Sequence, residues 1–154
     1  MKTKTVNGVD VIYGTECVSI AEAGKISAQV TGLIQAEVEK HGLDICGDWI
    51  FISYGRDGDP SKKIVHEFCL PVANTAGYKG SFKSKRLADF FCAYCDYKGD
   101  MSPRMLGGKG YGPLVSEIIA ASKEFTGESR EVYHKWISPK SKENEFEIQF
   151  GIKP

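Results

Sequence analysis

The sequence lacks the features that mark membrane, secreted and nucleic-acid-binding proteins. Its 154 residues contain no run of about 18 apolar residues, so we expect no membrane-spanning helix. The first residues include lysines but no apolar stretch behind them, which argues against a secretory signal. Lysine plus arginine equals aspartate plus glutamate at 20 each, so no excess of positive charge draws the chain to nucleic acid or to anionic lipid.

Signatures of catalysis are also scarce. The 3 histidines, His41, His66 and His134, fit neither a triad nor a metal-binding pattern, and the Gly-x-Ser-x-Gly elbow of serine hydrolases is missing. The glycine cluster at residues 107–112 (GGKGYG) lacks the Ser or Thr that follows the lysine of a P-loop. We therefore expect this cluster to form a flexible lid beside a ligand groove, not a nucleotide site.

The cysteines do not suggest a disulfide framework. Their number, 5, is odd, so reduced thiols in the cytosol are the simpler interpretation. The spacing of Cys92 and Cys95 also occurs in zinc and redox sites, but the surrounding FFCAYCDY is typical of a strand. Residues three apart in a strand point to opposite faces, so one metal ion does not reach both thiols. We expect a cytoplasmic protein with no metal and no cofactor.

What is present is typical of a soluble globular domain with two helices. Hydrophobic residues make up 42% and charged residues 26% of the chain, which suits a single packed core. Ser19 and Glu22 match a helix-capping box, and apolar residues then recur at helical spacing until Gly42. Pro113 suits the first turn of a second helix, which we expect to include Phe125 and to end at Gly127.

Strand-like segments surround both helices in the same order. They occupy residues 9–18, 49–54 and 64–72 around the first helix, and residues 87–97, 130–137 and 145–152 around the second. The order is β-α-β-β twice, with module 1 at about 9–72, module 2 at about 87–153 and a polar link around 74–84. This predicts a single α+β domain over residues 1–154, in which duplicated β-α-β-β modules form one largely antiparallel sheet with helices on one face and a ligand groove on the other.

The two modules end in similar hairpins, which indicates an internal duplication. Tyr54 and Tyr133 each precede a proline by six residues, and each proline is followed by polar residues and a strand. In this alignment Glu131 corresponds to Ile52. We interpret Glu131 as the position where the second module departs from the first to serve a function.

Strand periodicity predicts which face each residue occupies. Residues 146, 148, 150 and 152 are apolar and alternate with polar positions, so they form the helix-covered face and leave Glu147 on the helix-free face. If Val132 belongs to the core, Glu131 and Tyr133 share the helix-free face with Glu147. A sheet face that carries tyrosine and glutamate is typical of a lined groove.

At these residues the chain resembles the GyrI-like small-molecule-binding domains, which also occur as the effector-binding domain of many bacterial transcription activators. The resemblance covers essentially the whole chain and is carried by residues 131–133 (EVY), by residues 147–152 (EIQFGI) and by residues 97–99 (YKG) with Tyr111. Family members usually show Glu-x-Tyr, a charged loop and Glu-Ile-Tyr-Ile-Pro-Ile. Here a glutamine and a glycine replace the second tyrosine and the proline.

The resemblance implies an aromatic groove with a glutamate near its centre that binds small lipophilic, often cationic compounds. Such a site compensates the ligand charge and adds cation–π attraction of roughly 0.5–2 kcal/mol per ring. By residue match Glu131 is the central acid and Tyr133 its neighbour. We expect a small amphipathic molecule as the partner, with no direct contact to nucleic acid or membrane. The further candidate ligand-binding residues are Glu147, Trp136, Tyr54, Phe91, Tyr94 and Tyr111.

Several functions fit these residues. The first is a stand-alone drug- or toxin-binding domain, since the first module starts too near Met1 to leave room for a DNA-binding helix-turn-helix. The resemblance also implies a hydrolase of strained cyclopropane-containing compounds, in which Glu131 and Tyr133 would be catalytic. Inhibition of DNA gyrase through a protein contact is a further alternative. For Glu131 itself, a solvated strand residue paired with Lys135 is the plain alternative.

Overall fold

The computed structural model describes Met1–Pro154 and divides into two compact units. Unit 1 consists of Met1–Val6 and Asp89–Pro154, and unit 2 consists of Asn7–Ala88. No helix of the chain combines the length and the apolar character that crossing a membrane requires. Strands and helices follow each other twice in the same order, as the duplication predicted.

The elements, in chain order, are β1 (Lys2–Val6), β2 (Val9–Val18), α1 (Ile20–Lys40), β3 (Ile50–Tyr54), β4 (Ile64–Pro71), β5 (Lys83–Leu87), β6 (Phe90–Lys98), α2 (Pro103–Leu106), a π-helical turn (Gly107–Tyr111), α3 (Gly112–Ala120), β7 (Phe125–Lys135) and β8 (Glu145–Ile152). All strand pairs within the two units are antiparallel. The α+β class and the antiparallel pairing predicted from the sequence are confirmed.

Unit 2 packs α1 against a sheet with the strand order β3-β4-β2-β5. The helix starts as predicted, because the Ser19 hydroxyl accepts the Glu22 N–H and the Glu22 carboxylate accepts the Ser19 N–H. These two bonds satisfy backbone groups that the first helical turn leaves unpaired. Ile34 and Val38 of α1 are buried against Phe68 in the core cluster of this unit.

Unit 1 has the strand order β1-β6-β8-β7 and is covered by the second helical segment. Leu114 and Ile118 of α3 pack in one core cluster with Ile148 and Phe150 of β8. Residues 146, 148, 150 and 152 are all buried, so the predicted core face of β8 is confirmed. The polar positions between them, including Glu147, point to the helix-free face.

Each unit also has an edge strand that was not predicted. β5 begins at the end of the predicted polar link of residues 74–84, and β1 precedes the first predicted element. Both read Lys-x-Lys, with Lys4 of β1 opposite Cys92 and Lys85 of β5 opposite Val11. Lysines on edge strands oppose pairing with other chains. Their polar composition gave no strand pattern in the sequence, because these strands are stabilised by pairing with β6 and β2.

The second helical segment differs from its prediction. It begins at Pro103, so the glycine cluster is helical and not the open lid expected from its composition. Close packing explains this, because a Cβ on Gly110 would lie 2.8 Å from Ile148 Cδ1. The helix ends at Ala120, and Phe125 and Gly127 belong to β7 instead. Gly127 has φ +95, a conformation that favours glycine.

Candidate functional site

The pairing of β7 with β8 places Glu131 on the helix-covered face of unit 1. Glu131 lies directly opposite Ile148, Tyr133 lies opposite Phe146 and Val132 lies opposite Glu147. Residues directly opposite each other in an antiparallel pair share a face. The prediction that Glu131 and Tyr133 share the helix-free face with Glu147 is therefore wrong.

The error has a structural cause in the alignment of the two hairpins. In unit 2 Ile52 lies opposite Glu67, so its equivalent in unit 1 is Val132, opposite Glu147, and not Glu131. A shift of one residue exchanges the two faces of a strand. The alignment matched the two prolines, but Pro60 lies eight residues after Ile52 whereas Pro139 lies seven residues after Val132, so the alignment was displaced by one residue. β7 also shifts register between Tyr133 and Lys135, as at a β-bulge.

Two phenols hold the Glu131 carboxylate. Tyr111 Oη donates to Oε2 at 2.7 Å, and Tyr133 Oη donates to Oε1 at 2.9 Å. Tyr111 reaches this position because it ends the π-helical turn, in which Gly110 packs closely on the sheet. The Glu131 side chain is half-buried and its hydrogen-bond partners are neutral. The negative charge of the carboxylate is therefore stabilised by dipoles but not neutralised by a cation.

Aromatic rings surround this group. The Tyr133 ring lies 4.9 Å from that of Phe146 and 5.7 Å from that of Trp136, and the Tyr111 ring lies 5.8 Å from that of Phe150. Trp136 is 48% exposed, which puts it at the boundary with solvent. The Glu131 cluster, which we define as Glu131, Tyr111, Tyr133 and Trp136, thus combines an uncompensated acid with ring faces and edges.

Glu147 and Tyr94 occupy the other face of the same sheet. Glu147 is 7% exposed and pairs with Lys4, whose Nζ lies 2.5 Å from Oε1 and 4.2 Å from the centre of the Tyr94 ring. Gln149 Nε2 donates to the same oxygen at 2.7 Å, while Gln149 Oε1 is buried without a hydrogen-bond partner. Glu147 is therefore already neutralised within the protein.

Tyr54 belongs to the matching arrangement in unit 2. Its Oη donates to Glu67 Oε1 at 2.6 Å, and Lys85 Nζ lies 2.7 Å from both oxygens of that carboxylate. Lys85 also lies 4.4 Å from the centre of the Tyr13 ring. The duplication of the chain therefore preserves a glutamate, an edge-strand lysine and a tyrosine ring on the helix-free face of each unit.

The predicted site residues thus separate into groups. Tyr111, Tyr133 and Trp136 come together at Glu131, whereas Glu147 and Tyr94 lie on the opposite face. Tyr54 lies in unit 2, and Phe91 packs against the core of unit 1 opposite Thr5. Sequence reasoning did not identify two edge-strand lysines and two core aromatic residues as neighbours of these groups. The repeated Lys-x-Lys pattern is the signal that could have identified the lysines. These missed residues are Lys4, Lys85, Phe146 and Phe150.

Cys92 and Cys95 lie in β6 and point to opposite faces, as predicted. Cys92 is opposite Gly151 and Cys95 is opposite Ile148. Burial raises the pKa of the Cys92 thiol to about 11, and burial also raises the pKa of Cys95. Raised values disfavour the thiolate that redox chemistry and metal binding need. No group of three or more His, Cys, Asp or Glu side chains is placed to hold a metal ion.

Neither a family model nor a curated protein matches the sequence. Solved structures do match it. The C-terminal domain of EcmrR superposes with a TM-score of 0.80 at 20% identity, over 99% of this chain and 96% of that one. SAV2435 bound to tetraphenylphosphonium gives a TM-score of 0.63 at 11% identity, over 99% of this chain and 93% of that one.

A hydrolase encoded by lin2189 from Listeria innocua gives a TM-score of 0.67 at 8% identity, over 99% of this chain and 91% of that one. At sequence identities this low, the superpositions establish a common fold. The expectation drawn from the GyrI-like resemblance is confirmed at that level. The chain has the fold of the EcmrR C-terminal domain and of SAV2435.

Proposed function

We propose that this chain binds small lipophilic cations at the Glu131 cluster. The observation that carries the proposal is the pairing of Glu131 with two neutral phenols, Tyr111 and Tyr133, which leaves its negative charge uncompensated. In a half-buried position the attraction of a carboxylate for a cation is less screened than in water. A bound cation would supply the counter-charge that lysines supply to Glu67 and Glu147.

The rings determine what kind of cation suits the cluster. Tyr133 and Trp136 present aromatic surface beside the carboxylate, and each ring that meets a cation adds about 0.5–2 kcal/mol. Because both carboxylate oxygens already accept a phenol O–H, the ligand does not need N–H donors of its own. We therefore infer a preference for cations whose charge is enclosed by apolar groups. Tetraphenylphosphonium, found bound to SAV2435, is a cation of this kind.

Calorimetric titration with tetraphenylphosphonium tests the proposal. We expect binding by the unaltered chain and an affinity at least about tenfold lower in Glu131→Gln, which corresponds to about 1.4 kcal/mol. Glu145→Gln is the matched control, since Glu145 lies in the adjacent strand and its carboxylate contacts the exposed Lys98. An affinity that is equal in both variants would remove Glu131 from the site.

Hydrolysis is a second candidate function for the same cluster. A carboxylate within hydrogen-bond distance of two phenols has the components of general acid–base catalysis, with Glu131 as base and Tyr133 or Tyr111 as proton donor. The test is mass spectrometry of a cyclopropane-containing substrate. Addition of water by the unaltered chain, and its loss in Glu131→Gln, would support this function. Binding of the substrate without its hydrolysis would favour ligand binding as the function of the cluster.

A further inference from the structure

Unit 2 contains a depression of about 330 Å³ that belongs to none of the groups described above. It lies between β2, α1 and the loop that enters β5, and its lining includes Glu16, Val30, Leu33 and Phe82. This volume is near the lower end of small-molecule pockets, about 300–1,000 Å³. The lining combines apolar side chains with polar ones, among them one carboxylate, Glu16, and one lysine, Lys83.

The wall formed by the loop is fixed by Glu37 of α1. Its Oε1 accepts the Ser81 N–H at 2.9 Å and the Tyr78 hydroxyl at 3.2 Å, and Tyr78 Oη accepts the Phe82 N–H at 3.3 Å. The bond from the Ser81 N–H, more than any other contact, lowers the pKa of Glu37. The loop is therefore held against the helix by an ionised carboxylate, and the Phe82 ring has a defined position.

The floor of the depression depends on Gly14. A Cβ at this position would lie 3.2 Å from Val30 Cγ1 and 3.3 Å from Phe82 Cε1. Absence of a side chain lets the ring and the helix approach the strand closely. Leu33, which is 55% exposed, continues the apolar wall outward. A ligand in the depression would cover this leucine.

Glu16 differs from the other half-buried carboxylates in having no partner. It forms neither a hydrogen bond nor an ion pair, although Lys83 lines the same depression. The residue opposite Glu16 on β4 is His66, whose ring nitrogens contact Ser53 Oγ at 3.0 Å and the Val18 carbonyl at 3.1 Å. His66 therefore has no N–H to give to Glu16. The Glu16 carboxylate therefore accepts no hydrogen bond from the protein, and a ligand donor would fill this place.

We propose that this depression is a second ligand site, specific for small protonated amines with an apolar body. The ammonium group donates N–H bonds to Glu16, and the apolar body packs against Val30, Leu33 and Phe82. The need for N–H donors separates this site from the Glu131 cluster, where each carboxylate oxygen already accepts one phenol O–H and depends less on donors from a ligand. The two sites therefore select different classes of cation, and this proposal does not depend on the one for Glu131.

The test is an amide-resolved NMR titration of the full chain with 2-phenylethylamine. We expect shifts in the amides of residues 13–16, 30–33 and 81–83, with affinity on the order of millimolar and at least about tenfold weaker binding in Glu16→Gln. Glu39→Gln is the matched control, because Glu39 is an exposed acid near the end of α1. In Glu131→Gln the amides of residues 13–16, 30–33 and 81–83 should shift with the same affinity as in the unaltered chain.

Two further ligands serve as controls for the amine and define the results that would contradict the proposal. 3-Phenylpropionate has the same ring and chain length as the amine but the opposite charge, and we expect no shifts at these amides. Shifts that are equal for the acid and the amine, or that persist in Glu16→Gln, would overturn the proposal. Tetraphenylphosphonium reports on the Glu131 cluster in the same samples, so failure of one site is distinguished from failure of the other.

Discussion

Glu131 lies directly opposite Ile148 in the pairing of β7 with β8, on the face that α3 covers. An ionisable carboxylate is thereby placed beside a hydrophobic core, where an unpaired charge is costly. Tyr111 and Tyr133 offset that cost by donating to its two oxygens. The contacts within unit 1 thus give these phenols a role in stability, in addition to the role in binding that we propose for them.

Removing either phenol hydroxyl should destabilise the protein. Tyr111→Phe and Tyr133→Phe each delete a hydrogen bond to a half-buried carboxylate, so we expect the free energy of unfolding to fall by about 1–2 kcal/mol in each. Urea unfolding followed by fluorescence measures this. Tyr94→Phe is the control, since its ring contacts Lys4 through its face and should change stability little. Equal stability of all three variants would contradict the geometry.

The edge-strand lysine of unit 1 should stabilise the sheet by neutralising a buried acid. Lys4→Met leaves Glu147, 7% exposed, without its counter-ion, and we expect a loss of about 1–3 kcal/mol in the free energy of unfolding. Lys2→Met removes a lysine of the same strand whose partner, Asp96, is exposed, so its effect should be below about 1 kcal/mol. Denaturant unfolding of both variants measures these changes. Equal losses in the free energy of unfolding would argue against a stabilising ion pair between Lys4 and Glu147.

Two glycines of the second helical segment should respond in opposite directions to alanine. A Cβ at Gly110 would lie 2.8 Å from Ile148 Cδ1, so Gly110→Ala should cost about 1–3 kcal/mol through overpacking. Gly108 has open space around a Cβ and lies within the helix, so Gly108→Ala should add about 0.4–1 kcal/mol. Thermal unfolding of the two variants compares them directly. A loss in Gly108→Ala would show that this residue is not helical in solution.

Acid should loosen the loop that is held by Glu37. The pKa of Glu37 is lowered in the folded chain, first by the Ser81 N–H bond, so its contribution to stability is present above the unfolded value of 4.5 and is lost as pH falls through the folded pKa. We expect the free energy of unfolding to drop as the pH falls below 4.5, and to drop less in Glu37→Gln. If the free energy of unfolding of the unaltered chain and of Glu37→Gln had the same pH dependence, the contact between Glu37 and the Ser81 N–H would not stabilise the fold.

Local signals predicted those elements that local chemistry stabilises. The capping box at Ser19 and Glu22 specifies the start of α1, and the alternation of residues 145–152 gives the bounds and the faces of β8. The edge strands β1 and β5 escaped prediction because Lys-x-Lys has no apolar face. Pairing with β6 and β2 is a long-range interaction that composition does not reveal.

Tertiary packing accounts for the other differences. Glycine has low intrinsic helix propensity, so composition argued against a helix at Gly110. Glycine nevertheless occupies this helical position because a side chain there would collide with Ile148. The four residues of the Glu131 cluster were all among the predicted site residues. The face of Glu131 and Tyr133 was predicted wrongly, since the prolines that aligned the two hairpins differ by one position relative to the paired strands.

A crystal structure of the chain with tetraphenylphosphonium would test the central claim most directly. We predict that the phosphorus atom lies within about 6 Å of the Tyr133 or Trp136 ring centre, with the Glu131 carboxylate as the nearest anionic group. Glu131→Gln crystals soaked under the same conditions should show lower occupancy at this position. A phosphonium ion bound away from Glu131, or bound equally well in the variant, would contradict the account.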